Sequence, residues 1–181
     1  MNTDVDPRGP LEASIAHLAM PGLLCPGAGI DYAQDSSVLT TETMLILKPN
    51  IAHHVAKIIA FLRDDLPSKG LTILSVISAT LNVGTAEAFY AEHYPKDFFP
   101  DLIALMTRGP ITVVFIRGVD AIKAVRKLVG PTDPVEAKIT DPESLRAKFG
   151  MTKTENSFHA SDSSDSFQLE LSILCPLLRR L

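Results

Sequence analysis

The sequence has no basic excess. Its 17 lysines and arginines are outnumbered by 21 aspartates and glutamates, a formal net charge of −4 at pH 7. Without a global positive field, nothing draws the chain to nucleic acid or to an anionic membrane surface. Long hydrophobic runs are also missing. No apolar stretch reaches the ~18 residues of a membrane span, and "MNTDVDPRGP" lacks the basic start and apolar centre of a secretory leader. Cysteine is scarce. Cys25 and Cys175 lie far apart and form neither a Cys-x-x-Cys pair nor a metal-ligand spacing. They read as two free or buried thiols in a reducing compartment. No internal repeat or low-complexity tract is present. The expectation is a cytoplasmic protein, or one on a cytosol-facing assembly.

What is there is an ordinary globular balance, 46% hydrophobic and 21% charged over 181 residues, enough for one domain with one sizeable core. Residues 1–40 stand apart. Prolines 7, 10, 21 and 26 and glycines 9, 22, 27 and 29 punctuate them, and they read as an extension or docking arm, with a short amphipathic helix over Leu11 to Met20. Residues 41–181 form the domain proper. "TETMLIL" reads as a buried strand ended by Pro49. "NIAHHVAKIIAFLRDDL" carries Ile51, Val55, Ile58, Ile59 and Leu62 at helical spacing, stopped by Pro67 and Gly70. "LTILSVISATL" and "PITVVFIRG" are β-branched and strand-like. "TAEAFYAEHY", "FFPDLIALMTRG" and "DAIKAVRKLVG" read as helices. "PTDPVEAKITDPESLRAKFG" reads as a long loop closing in a short helix. "SFQLELSI" fits either a half-exposed strand or a helix started within "SDSSD". Strands alternating with helices around one core point to an α/β or α+β sandwich.

One histidine, His159, sits in the polar stretch "NSFHASDSSDSFQLE". A lone histidine in such a setting is ordinarily a solvated surface group. It can also be a nucleophile toward phosphorus, if one ring nitrogen is free and an acceptor fixes the other. Glu170 is the candidate acceptor, and Ser161 could in turn hydrogen-bond that carboxylate. Three cations have settings suited to phosphate. Lys48 closes an apolar strand, Arg126 precedes "LVGPTDP", and Arg146 follows the proline-punctuated loop. Each taken alone reads as a solvated charge.

Taken in order, "LILKPN", "FYAEHY", "FFPDL", "RGPITVV", "VRKLVGPTDP", "SLRAKFG" and "NSFHASDS" resemble the nucleoside diphosphate kinase family from about Thr41 to Pro176. The most specific element is N-x-x-H-x-S-D-S. The resemblance implies a ferredoxin-like βαββαβ core, an α+β fold with a four-stranded antiparallel sheet, and it favours a helix after "HASDS". It implies transfer of the γ-phosphoryl of a nucleoside triphosphate to a nucleoside diphosphate through a phosphohistidine at His159, with Mg²⁺ carried by the nucleotide and no protein metal site. Glu170 and Ser161 would orient the histidine. Lys48 and Tyr94 would lie beside the phosphoryl group in flight. Arg126, Thr132 and Arg146 would bind phosphates, Asn156 with Lys48 the sugar hydroxyls, and Phe98 the base by stacking.

The chain departs from the family's usual pattern in several places. "KPDG" is "KPNI", with Asn50 and Ile51. The glycine after the histidine is Ala160, which would add a methyl near the nucleophile. Only "PKD" separates Tyr94 from Phe98, so this stretch looks short, and the loop "AKITDPESLR" is slightly long. The short stretch before "FFP", the longer loop and "SLRAKFG" resemble the divergent cilia- and flagella-associated subgroup, and "FGMTKTENSFH" in particular resembles the second kinase-like domain of the seventh human member's family. Membership there implies weak or absent exchange, a place in a ciliary or flagellar axoneme, and axonemal or microtubule-associated partners reached through residues 1–40. The altered loops cover regions that housekeeping enzymes use to assemble. A homo-oligomer is therefore open and a hexamer is not assumed.

Overall fold

The computed structural model describes residues 40–178. The arm over residues 1–40, its helix over Leu11 to Met20, and Cys25 lie outside the described residues except for Thr40. The four strands are β1 (Thr40–Leu47), β2 (Leu71–Thr80), β3 (Pro110–Val119) and β4 (Phe158–Ala160). They form one sheet in the order β2-β3-β1-β4, with every neighbouring pair antiparallel. β1 and β3 are central and buried on both faces, which is why both read as continuous apolar runs. The helices are α1 (Val55–Asp65), α2 (Val83–Phe89), α3 (Phe99–Thr107), α4 (Ala121–Val129), α5 (Pro134–Thr140), α6 (Leu145–Phe149) and α7 (Ser164–Leu178).

Alternation along the central strands divides the core in two. Met44, Ile46, Val113 and Phe115 face α2, α3 and α7, meeting Ala86, Leu102, Met106, Phe167, Leu171 and Leu174. Leu45, Leu47, Val114 and Ile116 face α1, α4 and α6, meeting Ile58, Leu62, Val125, Val129 and Leu145. This α+β sandwich is the ferredoxin-like arrangement expected. Among the described residues no helix is long and apolar enough to cross a membrane.

Three local expectations change, and a fourth, the helix that the resemblance favours after "HASDS", is met. His159 is in a strand, not a polar loop, because β4 is only three residues long and too brief to show a period. "PTDPVEAKIT" is not loop throughout: Pro134 occupies the start of α5, where a missing N–H costs nothing, and Asp133 caps it through Val135 N–H at 2.9 Å. "NIAHH" begins as a 3₁₀ turn over Pro49–His54, and the α-helix starts at Val55. The segment after "HASDS" is helical. Phe167, Leu171, Leu174 and Leu178 recur at helical spacing and all enter the core, which overrides the period-two alternation. Separately, Cys175 is buried on α7 and is not a free thiol, against the reading of two unpaired cysteines.

Candidate active site

Strand pairing places the histidine. His159 lies opposite Ile46 of β1, so its side chain emerges on the face covered by α2, α3 and α7. α7 turns Glu170 to the same face, between Phe167 and Leu174 in the helical sequence. The imidazole donates from Nε2 to Glu170 Oε1 at 2.8 Å, and Ser161 Oγ donates to Glu170 Oε2 at 2.6 Å. Both carboxylate oxygens are therefore engaged, and Glu170 and Ser161 are buried. With Nε2 held, Nδ1 keeps the lone pair. Two aromatic rings meet the imidazole edge-on, Phe89 at 5.0 Å and Tyr90 at 5.9 Å between centroids. They limit its rotation.

A cleft of about 750 Å³ opens over this imidazole. Its lining includes Lys48, Phe98, Arg126, Thr132, Arg146, Asn156, His159 and Glu170. The cations come from separate parts of the chain. Lys48 follows β1, Arg126 is on α4 and Arg146 is on α6. Lys48 is buried, donates to Asn156 Oδ1 at 2.9 Å, and lies 6.0 Å from the Tyr90 ring centroid. Burial, and then the neighbouring Arg146 charge, push its ammonium down to about 7. Arg146 donates from one terminal nitrogen to Gly130 O at 2.7 Å and from the other to Phe158 O at 3.1 Å. It thus ties the α4–α5 turn to β4. Its Nε is buried with no partner among the described residues. Burial, and then the Arg126 charge, lower Arg146 to about 10. Gly130, at φ 81°, makes that turn possible, and a Cβ there would come within 2.4 Å of Ser144. Three cations drawn from separate elements thus face one cleft, the arrangement that suits phosphate oxygens.

Tyr94 is not part of the cleft. It is 73% exposed and packs edge-on against Phe99 at 5.6 Å. The tyrosine that faces the site is Tyr90, at the end of α2, 4% exposed and edge-on to His159. Burial, and then the Glu170 charge, raise its phenol well above the usual range. The signal was present in the sequence: Ala86, Phe89 and Tyr90 share one helical face, whereas Tyr94 precedes Pro95 in a turn. Counted from Tyr90, seven residues separate the tyrosine from Phe98, so the apparent shortness vanishes. Sequence reasoning also missed His93. Its ring stacks on Tyr90 at 5.9 Å, meets Phe98 edge-on at 5.5 Å, and lines the cleft. Phe98 is 41% exposed on that wall. Ala160 joins the core on the other face of the sheet, so its methyl does not crowd the imidazole. No cluster of three or more His, Cys, Asp or Glu suited to a metal ion occurs among the described residues.

A cleft lined by Lys48, Arg126 and Arg146 that opens over a carboxylate-held imidazole, on a ferredoxin-like sheet, is an arrangement suited to phosphoryl transfer. Known proteins narrow this further. The family model for nucleoside diphosphate kinase matches residues 41–177. The nucleoside diphosphate kinase of Aquifex aeolicus is 36% identical over 133 residues, covering 74% of this chain and 92% of that protein. That of Sulfurisphaera tokodaii is 35% identical over 132 residues, covering 73% and 86%. Among solved structures, the Aquifex aeolicus nucleoside diphosphate kinase superposes with a TM-score of 0.68 at 35% identity, covering 75% of this chain and 95% of that one. A halophilic nucleoside diphosphate kinase from Halobacterium salinarum in complex with CDP gives 0.65 at 27% identity, covering 75% and 87%. The chain belongs to the nucleoside diphosphate kinase family, and it is an enzyme of that class.

Proposed function

We propose that this chain moves the γ-phosphoryl of a nucleoside triphosphate to a nucleoside diphosphate in two steps through His159. The observation that carries this reading is the Ser161–Glu170–His159 relay, which holds Nε2–H and leaves Nδ1 free. In the first step the Nδ1 lone pair forms a bond to the γ-phosphorus, and the bond to the bridging oxygen breaks. The nucleoside diphosphate leaves with that electron pair. Glu170 balances the positive charge that the ring acquires. In the second step a terminal oxygen of another nucleoside diphosphate attacks, and the N–P bond breaks. Arg126, Arg146 and Thr132 hold the phosphate oxygens. Positioning and fixed charge supply most of the catalysis in such a transfer. Lys48 and Asn156 take the sugar hydroxyls, and Phe98 takes the base by stacking. Tyr90 stands beside the phosphoryl group in the place that the sequence pattern gave to Tyr94. Mg²⁺ arrives with the nucleotide as part of the substrate.

The direct test is incubation with γ-labelled ATP, removal of nucleotide, and assay for acid-labile, alkali-stable label that a nucleoside diphosphate then discharges. The tyrosine assignment has its own test. Tyr90→Ala is expected to lower kcat/KM by about tenfold or more, whereas Tyr94→Ala leaves it within about twofold. Steady-state kinetics on the two variants reads the contrast.

Lys48 gives a pH signature. With its ammonium lowered to about 7, it is partly deprotonated from about pH 7 upward. Bound phosphate favours the charged form and draws a proton back on. Nucleotide binding at pH 7.5 to 8 is therefore expected to take up protons, and Lys48→Gln to remove that uptake. Calorimetry in buffers of different ionisation enthalpy measures it. For stability the sign is opposite to that of an ion-paired lysine. Lys48 titrates lower when folded, so its burial penalty is full below about pH 7 and lifts as pH rises toward its unfolded value.

A second reading is membership of the divergent ciliary and flagellar subgroup, as a weakly active structural or nucleotide-sensing module with axonemal or microtubule-associated partners. Asn50, Ile51 and the extension over residues 1–40 support it. Ala160 does not, because its methyl packs away from the nucleophile. Label uptake from γ-labelled ATP decides between the two readings, and deleting residues 1–40 separates anchoring from catalysis: phosphotransfer survives, and any microtubule association is lost.

A further inference from the structure

The family pattern has aspartate where this chain has Asn50, and the structure gives that amide a specific task. Asn50 sits in the 3₁₀ turn just after Lys48 and donates from Nδ2 to Ser157 Oγ at 2.8 Å, with Glu155 O at 3.5 Å. Ser157 is fully buried and at φ 72°, a left-handed conformation that a serine adopts only when its surroundings hold it there. Its own hydroxyl hydrogen is committed to Phe149 O at 2.7 Å. Its oxygen can therefore only accept, and the partner must be a donor. An amide supplies one. An ionised carboxylate in the same place would set lone pairs against lone pairs at both Ser157 Oγ and Glu155 O. Asn50 Oδ1, by contrast, is buried with no partner among the described residues. Only the donating half of this side chain is used, and a flipped amide would lose that bond as well.

Ser157 is the pivot of the sugar-facing pair. Its carbonyl accepts from Lys48 N–H at 2.9 Å, and its hydroxyl is gripped by Asn50. The preceding residue, Asn156, accepts from Lys48 Nζ at 2.9 Å and donates to Lys153 O at 3.0 Å. The end of β1 therefore holds the 155–157 segment at the backbone, at the serine side chain, and at the lysine ammonium. We infer that Asn50 is a positioning residue, which acts through Ser157 to fix the Lys48–Asn156 pair for the hydroxyls of the nucleotide sugar. This rests on the reading of the cleft as a nucleotide site, and deepens it by naming what aims the sugar contacts.

The test uses the full chain and compares a ribonucleoside diphosphate acceptor with its 2′,3′-dideoxy analogue. Wild type is expected to favour the hydroxylated acceptor in kcat/KM by about tenfold or more, the effect of losing a hydrogen bond to a charged group. Asn50→Asp at neutral pH, and independently Ser157→Ala, are expected to reduce that preference to within about threefold, with the double variant no worse than either. Should Asn50→Asp fail to fold, Ser157→Ala carries the comparison alone. A merely structural role would lower Tm and leave the preference intact. A wild type that prefers its hydroxylated acceptor, with folded variants that keep the same preference, overturns the role of Asn50 alone. A wild type with no preference overturns the sugar-site reading and this inference together.

Discussion

His159→Gln is expected to take no label from γ-labelled ATP and to lose at least ~10⁴-fold in exchange, because the bond-forming atom is gone. Glutamine can reach Glu170 with its amide, so the relay keeps one donor and the fold is undisturbed. What disappears is the lone pair that Nε2 anchoring leaves on Nδ1. His159 is only partly buried, with about a fifth of its side chain exposed, so the cavity left is small and at the mouth of the cleft. Tm should move little, and the loss is read in label uptake and exchange rate. A His159→Gln protein that retains exchange would mean that some other group attacks phosphorus.

The second large effect is expected at Arg146. Two opposed contributions meet there. Removing the guanidinium leaves Gly130 O and Phe158 O without their donor, a loss of roughly 1–3 kcal/mol for each. It also relieves a cation buried beside Lys48 and Arg126, a cost of similar size that shows in the lowering of Arg146 to about 10. The two oppose each other, so Arg146→Met is expected to change the unfolding free energy by at most about 3 kcal/mol. Phosphate binding has no such compensation, and kcat/KM is expected to fall ~10²-fold or more. Arg146→Lys should not restore it, since one ammonium cannot span both carbonyls and still meet phosphate. Arg146 also lowers Lys48, so the proton uptake on nucleotide binding should shift to higher pH in Arg146→Met. Denaturant unfolding, steady-state kinetics and calorimetry on one variant thus check three linked results.

Most of the fold was legible in the sequence because its signals are local. β1 announces itself as an apolar run, β2 and β3 as β-branched runs, and α1, α3 and α4 as amphipathic repeats. β4 was hidden because three residues carry no period, and α5 because proline at a helix start looks like proline in a loop. The last helix was settled by packing, since Phe167, Leu171 and Leu174 enter a core that no local pattern reveals. At the site, residues named by motif converge where the motif is rigid: His159, Ser161 and Glu170 form one relay, Lys48 and Asn156 form a pair, and the relay and the pair border the same cleft. Tyr94 lies outside the cleft because motif spacing was counted from the wrong tyrosine, although the helical face shared by Ala86, Phe89 and Tyr90 pointed to the inward one. The pairing of Asn50 with Ser157 was not legible at all. It joins residues more than a hundred positions apart, and one of them has a backbone conformation that its side chain does not advertise.

The proposed transfer stands on the free nitrogen of one imidazole. The most direct measurement is the site of phosphorylation, read by ³¹P and ¹⁵N NMR on full-length protein loaded from ATP and freed of nucleotide. The expected result is a single phosphohistidine at His159 with phosphorus on Nδ1, discharged by a nucleoside diphosphate, since Nε2 is committed to Glu170 at 2.8 Å. Phosphorus on Nε2, on a serine of the adjoining segment, or nowhere in the protein would contradict it.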